Sequence, residues 1–180
     1  ERFFRVGKYL IPRHRPELTN LRRSTPFWTL LGERRIWSTI LRVPITFPPE
    51  KLRGVLLSAM CVPDLRGTQG MFSYYTTRPL SEAERIGGEV HRVERNGDTI
   101  RAHLVGPENP YLNERAALKA PFTVTFRPDR VVLTLAGETH ELSKGQYTDW
   151  LRVPFRIAPG LTITGRCKFL LLESPSPLPL

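Results

Sequence analysis

An α+β architecture is predicted: a partial α/β segment over residues 1–80, an all-β, sandwich-like and mostly antiparallel domain over 81–174, and a Pro-rich tail at 175–180. Three observations predict it. Between Ser24 and Val43 a capped helix runs into a β-branched apolar stretch, giving helix, turn and strand in order. From Gly87 the pattern changes to alternating apolar and polar residues, with Asn96-Gly97 between two such runs, the strongest short hairpin signal. Arg78, Pro79 and the SEAER run separate these textures, which places the boundary near residues 79–87.

In the first part, Ser24 and Thr25 offer hydroxyl caps, and Pro26 suits a first helical turn because its missing N–H costs nothing there. Phe27, Leu30 and Leu31 share one helical face, and Gly32 is expected to close the helix through a left-handed cap. Residues 36–43, rich in Ile, Thr, Leu and Val, read as a strand buried on both faces, as in a parallel sheet. Pro44, Pro48 and Pro49 fix the backbone and force a stiff path around Thr46 and Phe47. Residues 54–60 read as a second strand, Pro63, Asp64, Gly67 and Gly70 as a compact loop, and 72–76 as an aromatic strand. Strands at 89–95, 99–105, 122–126, 131–135, 150–157 and 161–172 complete the β part, with turns at Pro128-Asp129, Ala136-Gly137 and Pro159-Gly160. Trp28, Trp37 and Trp150 lie in apolar runs and are expected in the core.

The 180 residues carry a formal charge of +10, of which residues 1–53 hold +8. Such a front end suits a polyanion, through phosphate neutralisation by Arg13, Arg15, Arg22 and Arg23, or a face that is solvated or covered by a partner. Cys61 and Cys167 have no zinc or redox spacing and read as buried free thiols. No run reaches the roughly 18 apolar residues of a membrane helix.

Catalytic patterns are missing from the sequence. His14, His91, His103 and His140 are scattered rather than clustered as metal ligands. Neither a G-x-S-x-G elbow nor a P-loop is present, since GTQG lacks the lysine and the spacing. Asp64, Arg66, Thr68 and Gln69 are the candidate substrate-binding residues, because Arg66 offers a bidentate grip on phosphate. The competing reading has Asp64 capping a turn, with Arg66 solvated or paired to it.

The segments GKYLIP (7–12), STPFWTLLG (24–32), LRVPITFPPE (41–50), CVPDLRGTQGMFSYYTT (61–77), LVGPENP (104–110) and DWLRVPFRIAPGLTITGRCKF (149–169) stand in this order. Together they resemble the alkaline phosphatase superfamily, in its type I phosphodiesterase or nucleotide pyrophosphatase branch, over nearly the whole chain. The resemblance implies a metal-dependent phosphoester hydrolase with a central, mostly parallel sheet, in which two divalent ions, zinc or manganese, activate a Thr or Ser nucleophile and stabilise the leaving oxygen. It implies that residues 1–80 are part of that core and that the β-rich part is an insertion. No residue here matches the family's nucleophile or metal ligands. The expectation is therefore a portion of a larger enzyme, inactive alone, whose partners are the rest of the catalytic domain and a phosphoester substrate. The start inside an apolar, basic run without Met points the same way. The rival expectation is a non-enzymatic basic module that binds nucleic acid or another polyanion.

Overall fold

The structure is a computed structural model and describes residues 3–13, 18–60, 62–80, 87–112 and 115–173. The chain divides into two compact units, one of Glu1–Phe3 with Pro12–Gly70 and one of Phe4–Ile11 with Met71–Leu180. Near the start, β1 (Phe3–Val6) and β2 (Tyr9–Pro12) form a hairpin that turns at Gly7, where φ is 59°.

In the first unit, helix α1 (Phe27–Glu33) has Pro26 at its N-cap, and no side chain caps it. Gly32 lies inside the helix rather than ending it. The helix closes instead through a paired-bond terminus in which Ile36 N–H donates to Leu31 O (2.9 Å) and Arg35 N–H to Gly32 O (3.0 Å), with Arg35 at φ 60°. This is the Schellman arrangement, with arginine where glycine is usual. Trp28 is the buried residue of α1, whereas Phe27 and Leu30 are exposed.

Strands β3 (Ser38–Leu41) and β4 (Gly54–Leu57) run parallel, in register from Ser38↔Gly54 to Leu41↔Leu57. Gly54 is demanded by this contact, since a Cβ there would lie 1.8 Å from the Ser38 carbonyl oxygen. Ser38 and Ile40 face inward and are buried. On the opposite face Leu41 (57%), Val55 (51%) and Leu57 (53%) are exposed, as is Trp37 (64%), which precedes the strand on the same face. The crossover from 42 to 53 is irregular. It is held by Thr46, whose hydroxyl donates to Val43 O (2.8 Å) and whose carbonyl accepts from the Ser58 hydroxyl (2.6 Å).

In the second unit, β5 (Ser73–Thr76) pairs in parallel with β6 (Glu89–Arg92). Five further strands, β7 (Arg95–Asn96), β8 (Thr99–Glu108), β9 (Ala117–Phe126), β10 (Val131–Leu135) and β11 (Glu138–Leu142), form an antiparallel sheet in the order β11-β10-β9-β8-β7. The Asn-Gly signal is met by the β7–β8 turn, with Asn96 opposite Thr99 and Gly97 at φ 64°. The last hairpin, β12 (Leu151–Ala158) with β13 (Leu161–Cys167), packs on this sheet through β12 and β9. Alternation sends Leu118, Ala120 and Phe122 of β9, Val131, Leu133 and Leu135 of β10, and Leu151, Val153 and Phe155 of β12 into one core. Gly106 lies under the Phe155 ring, and a Cβ there would sit 2.5 Å from it.

The expected α/β segment is overturned. The described residues hold thirteen strands in several small sheets and one helix of seven residues, so the chain is mostly β. The reason is local: the helix closes after two turns, and Pro44, Pro48 and Pro49 exclude a helical crossover between β3 and β4, the connection a parallel pair normally uses. Three other expectations also change. The strand at 36–43 is covered on one face only, and Trp37 and Trp150 are exposed rather than buried. Strand β11 is an element the sequence pattern did not single out.

Candidate functional site

The loop that carries Asp64, Arg66, Thr68 and Gln69 folds around one carboxylate. Asp64 N–H donates to Thr68 O (2.8 Å) and Gly67 N–H to Asp64 O (3.0 Å), closing the turn on its main chain. The side chain closes it again. Asp64 Oδ1 accepts the N–H groups of Arg66 (2.9 Å) and Thr68 (2.8 Å), while Oδ2 accepts the Thr68 hydroxyl (2.5 Å). Such an Asx-type closure is the usual work of Asp at a turn, and Gly67 and Gly70, at φ 80° and 86°, supply the left-handed positions around it.

Partial burial would raise the Asp64 pKa, but hydrogen bonds from the Thr68 hydroxyl and amide and from the Arg66 and Gly70 amides outweigh it and hold the carboxyl below its ordinary value. A carboxylate so engaged is a poor general base. The loop therefore brings Asp64, Arg66 and Thr68 together through Asp64, and it presents an exposed Gln69 beside a half-buried Arg66. That arrangement can orient a ligand; the Thr68 hydroxyl does face a carboxylate, but the bonds that close the turn leave that carboxylate too weakly basic to activate it.

A second polar centre gathers around Glu50. Glu50 Oε1 accepts from Arg22 Nη2 (2.7 Å) and from the indole Nε1 of Trp28 (2.8 Å), and the Arg22 guanidinium lies 5.6 Å from the Trp28 ring centre. Burial would raise the Glu50 pKa; the bonds from Arg22 and Trp28 and the Arg22 charge prevail and lower it. Arg22 is thus engaged within the fold, by Glu50, the Ser24 carbonyl and the Trp28 ring. Arg13 and Arg23 are exposed, and Arg15 lies outside the described residues. Nothing in sequence spacing joins residues 22, 28 and 50.

The histidines remain apart. His91 stacks on Tyr75 with ring centres 4.8 Å apart and lies 3.6 Å from Glu89; His140 lies 3.8 Å from Glu138. His103 offers its carbonyl to the Tyr75 hydroxyl (2.8 Å), and His14 falls outside the described residues. Among the described residues, no three His, Cys, Asp or Glu side chains converge as a metal site, and no helix is long and apolar enough to cross a membrane. Cys167 is a free, half-buried thiol whose pKa burial raises to about 11; Cys61 lies outside the described residues. Compared with known proteins, the chain matches no family model, no curated protein and no solved structure.

Proposed function

We propose that the chain is a non-catalytic part of a metal-dependent phosphoesterase of the phosphodiesterase or nucleotide pyrophosphatase kind. The six ordered segments that resemble this superfamily support the chemistry. Incompleteness is carried by one observation: the parallel pair β3–β4 leaves Trp37, Leu41, Val55 and Leu57 exposed together on one face. Parallel sheets are almost always covered on both faces, and an apolar face left open is a partner surface. The rest of the enzyme would cover it and supply the two zinc or manganese ions with their ligands. Asp64, Arg66, Thr68 and Gln69 would then contribute to the rim of the substrate site, with Asp64 fixing the loop and Arg66 reaching a phosphate.

Hydrolysis of bis(p-nitrophenyl) phosphate with added zinc or manganese tests this reading. Turnover is expected from the full-length protein that carries these residues, with loss on chelation, and none is expected from the 180 residues alone. Turnover by the 180-residue chain would overturn the non-catalytic assignment. An inactive, metal-loaded full-length protein would overturn the phosphoesterase assignment.

A further inference from the structure

The β12–β13 hairpin turns one face to the core and the other to solvent. Leu151, Val153 and Phe155 point inward, whereas Trp150, Arg152, Pro154 and Arg156 alternate with them and are exposed. Register places Arg166 opposite Arg152, Thr164 opposite Pro154 and Thr162 opposite Arg156, all exposed. Lys168 extends the row, its Nζ 5.4 Å from the centre of the Trp150 ring.

Pro154 has no N–H, so its pair with Thr164 must be of the non-hydrogen-bonded kind. Pair types alternate along an antiparallel ladder, so Arg152 and Arg166, two positions away, form the same kind of pair, with Cα atoms only about 4.5 Å apart. Like charges held directly opposite each other destabilise a sheet. Among the described residues no carboxylate relieves them, and Arg152, Arg156 and Arg166 take part in no ion pair. Solubility alone is served by interspersed signs, so a uniform cationic face that costs stability is the local inconsistency expected where a chain binds something.

We propose that this face binds single-stranded nucleic acid, with Arg152, Arg156, Arg166 and Lys168 on the phosphates and Trp150 stacked on a base. Guanidinium groups match phosphate oxygens in bidentate geometry, and the strand from Trp150 to Arg156 offers a track of about 20 Å. An exposed indole (62%) at the end of a basic track is the pairing that single-strand binding uses. A lipid surface fits less well. The other residues of the face are Pro154, Thr162 and Thr164, which provide no aliphatic anchor, while threonine hydroxyls donate to phosphate oxygens. This inference is independent of the phosphoesterase reading and uses none of the front-end arginines.

Fluorescence anisotropy of a short labelled oligothymidylate, with EDTA present and salt raised from about 50 to 200 mM, tests the site. Four phosphate contacts predict a slope of log affinity against log salt of about −2.8, and Arg152→Ser/Arg166→Ser halves it to about −1.4. Trp150→Ala is expected to weaken binding about five- to hundredfold with the slope unchanged. Arg127→Ser/Arg130→Ser, which removes equal charge from the exposed β9–β10 turn, should leave affinity within about twofold, since most of the effect is local. The Arg152/Arg166 variant removes a repulsive pair and should melt no lower than the parent. Absence of binding, equal losses in the two double variants, or tighter binding to phosphatidylserine vesicles than to the oligonucleotide would each overturn the proposal.

Discussion

Replacing Glu50 with alanine is expected to destabilise the first unit by about 2–3 kcal/mol. The magnitude follows from what Glu50 touches. Trp28 is buried, and its indole N–H would lose its acceptor, a cost of about 1–3 kcal/mol for an unsatisfied buried donor. The Arg22 pair, with side chains 20% and 34% exposed, is partly screened by solvent and adds at most about 1 kcal/mol. Glu50→Gln keeps a neutral acceptor for the indole and should cost about 1 kcal/mol, so the order of stability is Glu, Gln, Ala.

Urea unfolding followed by Trp28 emission, in a Trp37→Phe/Trp150→Phe background that removes the two exposed indoles, reads this effect. With a slope of about 2 kcal/mol per molar urea, the alanine midpoint should fall by about 1 M. The pH dependence has a definite sign. The folded Glu50 pKa lies below the ordinary 4.5, so the charged carboxylate's contribution is fully present above that value and is lost as pH falls through the folded pKa. The gap between wild type and Glu50→Ala should therefore narrow on acidification. An alanine cost under about 0.5 kcal/mol, the range of an ordinary surface change, or Gln and Ala variants of equal stability, would refute the reasoning.

Other perturbations test other parts of the fold. Leu133, fully buried at the centre of the β10 row, should cost about 2–5 kcal/mol on truncation to alanine, measured as the loss of unfolding free energy of the second unit. Asp64→Ala removes the acceptor that closes the 64–68 turn, and faster trypsin cleavage after Arg66 is expected; an unchanged cleavage rate would mean that the main-chain bonds alone hold the loop. With its pKa raised to about 11, Cys167 in a Cys61→Ser background should react with a disulfide reagent at mildly alkaline pH about a hundredfold more slowly than an unperturbed thiol, and at the ordinary rate once unfolded.

The candidate site was legible where its logic is local. Asp64 with two glycines at short spacing writes a turn into the sequence, and the loop forms from bonds within seven residues. The pairing of Glu50 with Arg22 and Trp28 was not legible, because a carboxylate 22 and 28 residues from its donors leaves no periodic trace. The arginine pair of the last hairpin was hidden in another way: Arg152 and Arg166 become neighbours only through register, and one residue of slip would turn them to the core.

By itself the sequence determined the punctuation and the alternation: the Asn96-Gly97 turn, the inward residues of β10 and β12, and the proline exit after β3. Each depends on preferences of a few consecutive residues, which unfolded and folded chains share. Tertiary structure alone decided that β5 pairs in parallel with β6, that Trp28 is covered while Trp37 and Trp150 are not, and that the apolar run at 36–43 has only one covered face. Burial depends on what lies opposite a surface, and an apolar run says that a face favours cover without saying which segment provides it.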